Sequence, residues 1–162
     1  MKYILNAEAL DLINKISSNF LVSPDLVCGI VGIESGWNTY KTRFEPGWKY
    51  FDYPINHSTK LGITFDTERN CQMTSWGYMQ VMGGVARELG FDDYLVRLCE
   101  PQYGIYYGIK KLAKLHLIYK SISDIISAYN QGSPRKNPEG AYENQNYVNK
   151  VLIEMTKFRQ GP

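Results

Sequence analysis

The chain has 162 residues, 44% of them hydrophobic, and a net charge of +2. That length and apolar content fit one domain with a real core over residues 1–162. The scattered lysines and arginines exclude the clustered basic stripe of a nucleic-acid binder.

Cys28, Cys71 and Cys99 form no CxxC pair, and His57 and His116 stand far apart. Free, mostly buried thiols are expected, with no metal site, no Cys-His nucleophile and no cofactor. The N-terminus, M-K-Y-I-L-N-A-E-A-L-D, interrupts its apolar run with Asn6, Glu8 and Asp11. The expectation is therefore a chain without a signal peptide, made in the cytoplasm and without a membrane span.

Asn6 is placed to cap a first helix whose apolar positions Ala9, Leu12, Ile13, Ile16 and Phe20 recur at three and four. The stretch S-P-D-L-V-C-G-I-V-G-I-E-S-G-W-N follows at residues 23–38. Ser23 suits an N-cap, Pro24 the first helical position and Asp25 the positive end of the helix dipole. Val27, Ile30 and Val31 carry an apolar face up to Glu34, and Gly36 supplies the stop. Glu34 is thus expected half-buried at a negative helix end, where desolvation and the dipole both favour the protonated carboxyl, as a general acid requires. The plain alternative is a surface glutamate in the last turn. Gly29 and Gly32 would weaken this helix unless another backbone approaches closely, so it is read as the buried central helix.

Periodicity fails from Trp37 to Thr74, where a turn at Pro46-Gly47 and short extended pieces predict a small irregular or β excursion at about 38–63. Its rings, Trp37, Tyr40, Phe44, Trp48, Tyr50, Phe51 and Tyr53, read as a satellite core or as a wall for flat sugar faces. Residues 64–73 return to helix and bring Glu68 near the next motif. Residues 74–91 read as two short helices broken at Gly83-Gly84 and closed at Gly90. Pro101 opens a longer helix in which Gly104 and Gly108 suggest a tight crossing. Ser121 and Asp124 suggest a capping box before an apolar stripe, Ile122, Ile125, Ile126 and Tyr129, that ends at Asn130 and Gly132. The Pro/Gly loop S-P-R-K-N-P-E-G is mobile by composition, and a last helix buries Val148, Val151, Leu152, Met155 and Phe158.

Polar residues gather at element ends: Glu34, Ser75 with Gln80, Tyr129-Asn130, and Tyr147. Singly, each has a plain reading: a helix cap for Ser75, a surface amide for Gln80, a C-cap for Asn130 and a packing ring for Tyr147. In order, E-S-G-W-N (34–38), T-S-W-G-Y-M-Q-V-M (74–82), A-Y-N-Q-G (128–132) and Y-V-N-K-V (147–151) resemble the lytic transglycosylase family of the lysozyme-like superfamily, related to goose-type lysozymes.

The resemblance implies a mainly α, lysozyme-like α+β fold: a helical bundle around a buried central helix, with the excursion as one wall of a substrate cleft. It implies cleavage of peptidoglycan glycan strands at the β-1,4 bond from N-acetylmuramic acid to N-acetylglucosamine. Glu34 would be the single general acid and base. Ser75, Gln80 and Asn130 would hold sugar hydroxyls and N-acetyl groups, Tyr129 would line the cleft, and the Tyr147 hydroxyl would bond the Glu34 carboxyl. Tyr78 stands where the family more often has leucine.

The excursion lies outside the common core and leaves Glu45 and Glu68 open, either as substrate contacts or as the second carboxylate of a hydrolytic lysozyme. Their plain readings are a turn-side charge and a surface helix residue. A non-catalytic glycan-binding module is the competing class, and it does not need Glu34. The context expected is a monomeric phage lysis or virion enzyme acting on the bacterial wall.

Overall fold

The computed structural model describes residues 7–159; Asn6, the expected cap of the first helix, lies outside them. Among the described residues the helices are α1 (Ala7–Phe20), α2 (Pro24–Glu34), α3 (Pro54–Leu61), α4 (Phe65–Gln72), α5 (Gly83–Glu88), α6 (Pro101–Ile118), α7 (Ile122–Gln131) and α8 (Gln145–Arg159). The strands are β1 (Thr42–Phe44), β2 (Thr74–Trp76) and β3 (Val81–Met82), and a 3-10 turn spans Leu95–Cys99. This is the mainly helical α+β architecture expected. No helix among the described residues is long and apolar enough to cross a membrane. The chain forms two compact units, Glu34–Gly108 and residues 7–33 with 109–159.

In the second unit, Leu26 through Val31 of α2 are all buried, so the helix has no solvent face over almost two turns and acts as the central helix. The glycine argument holds at Gly29: a Cβ there would lie 3.1 Å from the Val151 carbonyl oxygen and 2.6 Å from Met155 Cγ. A bare backbone lets α2 approach α8, which contributes buried Val148, Val151 and Met155. Helix α7 buries Ile125, Ile126, Ser127, Ala128 and Tyr129 and closes at Gly132, whose N–H bonds the Ala128 carbonyl.

Two expectations are corrected in this unit. The Ser121 side chain makes no cap bond, and Asp124 accepts a hydrogen bond from the Tyr142 hydroxyl at 2.6 Å. Asp lacks the methylene that lets Glu reach back in a capping box, and the phenol occupies it instead. The loop expected to be mobile is pinned: Lys136 bridges Tyr142, the Asn137 N–H bonds the Ala141 carbonyl at 2.9 Å, and Arg135 pairs with Glu143 at 2.9 Å.

The first unit holds an antiparallel sheet in the order β1-β2-β3, with Arg43 opposite Ser75 and Ser75 opposite Met82. Residues 74–82 therefore form a hairpin where short helices were expected. Gly83 and Gly84 begin α5 rather than break it. A Cβ on Gly83 would sit 2.2 Å from the Cys71 carbonyl oxygen, and one on Gly84 2.6 Å from that of Tyr50, so α5 packs directly on two backbones. Gly104 and Gly108 allow a close approach as expected. The neighbours, though, are the Leu98 carbonyl and Met79 rather than a second helix.

The excursion also differs from the sequence reading. It contains α3, entered by Pro54 and ended by Gly62 at φ 66°, a helix hidden because Ser58 alone of its residues is buried. The rings do not form a satellite core: Tyr40, Tyr50 and Tyr53 are 70–78% exposed and Phe44 is 51% exposed. Only part of the ring set is half-buried, with Trp48 edge-on to Tyr50 at 5.3 Å and Phe51 under the Arg69 guanidinium. Between α4 and α5 the tie is an ion pair. Glu68 and Arg87 are 1% and 2% exposed and meet through two hydrogen bonds of 2.8 and 2.9 Å.

Candidate active site

Glu34 is the last residue of α2 and is half-buried. Beyond it the chain turns through two consecutive left-handed residues, Gly36 at φ 60° and Trp37 at φ 62°. Glycine takes this conformation freely; for tryptophan it costs about 1–2 kcal/mol. The Trp37 ring is met by Tyr78, edge-on at 6.3 Å. Tyr78 is 3% exposed and buttresses the strained turn. Asn38 adds an Asx turn, its Oδ1 accepting from the Tyr40 N–H at 3.0 Å.

Lys41, which the sequence reading passed over, joins the first motif to the second. Its Nζ donates to the Glu34 carbonyl oxygen at the end of α2. Its own carbonyl accepts from the Gly77 N–H at 2.9 Å and from Gln80 Nε2 at 2.8 Å. A cation on a C-terminal carbonyl satisfies one of the helix's open acceptors and offsets its negative end. Lys41→Met is expected to cost less than about 1 kcal/mol, as helix-end charges do. It should slow peptidoglycan clearing by up to about tenfold through looser placement of Glu34, one hydrogen bond's worth, while Lys41→Arg retains the rate. Urea denaturation and turbidity assays measure the two effects, and full activity in Lys41→Met would make the tether incidental.

The second motif is the hairpin itself. Gly77 takes φ 70° and Gln80 φ 47°, and a Cβ on Gly77 would be 2.3 Å from the Leu98 carbonyl oxygen. Met79 is fully buried and anchors the tip. Ser75 is not a helix cap but a strand residue, 3% exposed, whose Oγ contacts the Arg43 carbonyl at 3.3 Å and Gln80 Oε1 at 3.1 Å. Gln80 Nε2 also donates to the Gly77 carbonyl at 2.9 Å. Both side chains therefore brace β1 against the hairpin.

Of the two added carboxylates only Glu68 is sealed, since the Arg43 partner of Glu45 is 72% exposed and Glu45 Oε1 makes no hydrogen bond. Glu45 follows β1, where its N–H bonds the Met73 carbonyl at 2.8 Å and its carboxylate pairs with Arg43. Glu68 was read as a surface helix residue or a second site carboxylate, and the structure corrects both. Its Oε1 accepts from Arg87 Nε and Gln72 Nε2, and its Oε2 from Arg87 Nη2. Sealed at 1% exposure, it holds α4 to α5 and presents nothing to a sugar.

In the second unit, Asn130 is exposed near the end of α7, and Tyr147 is half-buried near the start of α8. Tyr129 is only 3% exposed. Its ring lies under Lys111 Nζ at 3.9 Å, and Lys111 also donates to the Tyr129 carbonyl at 2.8 Å. Tyr129 offers packing rather than a surface for lining a cleft. The cysteines are free. Burial, with Asp25 adding to it, pushes the Cys28 thiol up to about 12, and burial also raises Cys71 and Cys99. Thiolate chemistry is thereby disfavoured at neutral pH.

A family model, the Transglycosylase SLT domain, matches residues 11–151. The chain belongs to this family. Comparisons with curated proteins and with solved structures returned no match. Members of the SLT family are peptidoglycan lytic transglycosylases, so the chain is an enzyme of the bacterial cell wall, and the matched span contains all four motifs. Within this SLT domain the residues missed from sequence are Lys41 and Arg87, and each acts through a partner distant in sequence.

Proposed function

We propose that this SLT domain cleaves the β-1,4 bond between N-acetylmuramic acid and N-acetylglucosamine with Glu34 as its single acid and base. The product proposed is a 1,6-anhydromuramic end. The Glu34 carboxyl protonates the glycosidic oxygen as the bond from the anomeric carbon breaks, releasing the N-acetylglucosamine 4-hydroxyl. The resulting carboxylate takes the proton of the muramic 6-hydroxyl, whose oxygen closes onto the anomeric carbon. The acid is restored and no water is consumed. The substrate's N-acetyl group can stabilise the intervening cation, as in substrate-assisted glycosidases.

The observation that carries the lyase reading is the state of the other carboxylates. An inverting hydrolase needs a second carboxylate about 6.5–9.5 Å from the acid to activate water. Glu68 is consumed by Arg87 inside the unit, whereas Glu45 meets only the exposed Arg43, so the lyase reading rests on Glu68 and, for Glu45, on the product. The binding roles fall to Asn130 and Tyr147, which keep exposed surface, while Gln80, whose Nε2 is taken by the Lys41 and Gly77 carbonyls, has only its Oε1 to offer a sugar. Ser75 acts through Gln80. We place the whole activity in one catalytic domain working as a monomer.

Mass spectrometry of muropeptides released from purified peptidoglycan tests this reading. Anhydro products lighter by one water than the reducing-end species should dominate. Dominant reducing-end muramic acid would make the enzyme a lysozyme, and no release at all would favour a glycan-binding module.

A further inference from the structure

Asn130 is anchored by a hydrogen-bond relay whose direction is fixed by one carbonyl. Asn144, just before α8, donates from Nδ2 to the Ser127 carbonyl at 3.1 Å. A carbonyl only accepts, so the nitrogen of the Asn144 amide must face it. The second Nδ2 hydrogen points to Asn130, whose Oδ1 accepts it at 3.0 Å. The other side of the Asn144 amide closes the same way. Its Oδ1 accepts from Ser127 Oγ at 2.7 Å, and that hydroxyl in turn accepts from Gln131 Nε2 at 3.2 Å. Ser127 is fully buried, so the relay is rooted in the core of its unit.

The consequence lies at the outer end. With Oδ1 taken inward, the exposed Asn130 presents its NH₂ outward, and among the described residues Nδ2 has no protein partner. A free asparagine amide offers either a donor or an acceptor by a half-turn; this one offers a donor.

We infer that Asn144 is a positioning residue that locks the Asn130 amide with its NH₂ outward, so that the third motif offers the glycan a hydrogen-bond donor and not an acceptor. This rests on the glycosidase reading above and adds the polarity of one contact to it. What α8 takes from Asn144 is its backbone carbonyl, which accepts from the Tyr147 and Val148 N–H groups and which other residues supply as well.

The test uses Asn144→Asp and Asn144→Ala in the full chain, with the β-1,4 trimer of N-acetylglucosamine as the probe. The Asn130 side-chain amide is followed by nitrogen-15 NMR. In the wild type both Asn130 amide protons exchange with solvent, and both resonances move as trimer is added. The carboxylate introduced by Asn144→Asp can only accept, so the Asn130 amide should turn over. One of its protons then becomes bonded and shifts, the outward atom becomes Oδ1, and trimer affinity falls about tenfold, the worth of one reversed hydrogen bond. Asn144→Ala frees the amide and should weaken binding less, and it serves if the aspartate variant fails to fold. Wild-type Asn130 resonances in a folded Asn144→Asp, or unchanged trimer affinity in both folded variants, would overturn the inference. Absence of muropeptide release by the wild type would instead count against the glycosidase reading, while the resonances still report what sets the amide.

Discussion

Glu34→Gln should reduce muropeptide release at least a hundredfold while leaving the fold intact. The amide matches the carboxyl in shape, so the half-buried side chain at the end of α2 is replaced at almost unchanged volume. What is lost is the proton. General acid-base catalysis contributes about 10²- to 10⁴-fold, and a residue that serves as acid and then as base in one turnover should sit at the upper part of that range. Stability moves the other way. A negative side chain at a helix C-terminus is unfavourable by about 0.3–1 kcal/mol, and here Lys41 already bonds the Glu34 carbonyl to offset that end. At a pH where the carboxyl is ionised the substitution removes that charge, so the midpoint of thermal unfolding measured there should hold or rise slightly. Activity down and stability level is the signature of a functional acid placed against local preference. The measurements are release of soluble muropeptides and a thermal melt on the same preparation. A variant keeping more than about one hundredth of the wild-type rate would remove Glu34 from the chemistry.

Much of this site was legible because its parts sit where local rules act. Pro24, the apolar face of Val27, Ile30 and Val31, and Gly36 marked α2 and its end. Pro101 marked α6, and Gly132 closed α7 as read. The four motifs then supplied the family, which spacing alone would not. What escaped depends on distant partners. The hairpin at 74–82 has strands of only three and two residues, too short for alternation to outvote helix-forming neighbours. It exists because Arg43 of β1 pairs with Ser75 of β2 across 32 residues of chain, and because Met79 fits over Gly108. Helix α3 is polar nearly throughout, so periodicity was silent, and its signals were its ends, Pro54 and Gly62. The exposed rings of the excursion show the same limit. Aromatic content calls for burial, but burial needs a facing surface, and Tyr50 and Tyr53 have none that covers them.

Glu68→Gln should destabilise the protein by about 3–5 kcal/mol, the usual cost of removing one partner from a buried ion pair. The loss is not simply one salt bridge. Arg87 is 2% exposed, and without the carboxylate its charge stays in a site that water does not reach. Its remaining bonds, Nη1 to the Phe91 carbonyl at 2.7 Å and to the Asp93 carbonyl at 2.8 Å, prevent it from swinging out cheaply. In a domain of this size each kcal/mol shifts the melting midpoint by about 2–4 °C, so a fall of about 10 °C is expected. Arg87→Met alone should also be costly, because it strands Glu68 and those two carbonyls. The double variant Glu68→Met/Arg87→Met should lose clearly less than the sum, since neither ion is left alone. This separates the structural role from the catalytic one that a hydrolase would need. A catalytic base replaced by its amide leaves a stable, inactive protein. A buried tie replaced by its amide leaves a fragile protein whose folded fraction, assayed well below its melting point, still cuts glycan. Denaturant titration with activity measured at low temperature distinguishes them. A stable but inactive Glu68→Gln would restore the second carboxylate and with it the hydrolytic mechanism.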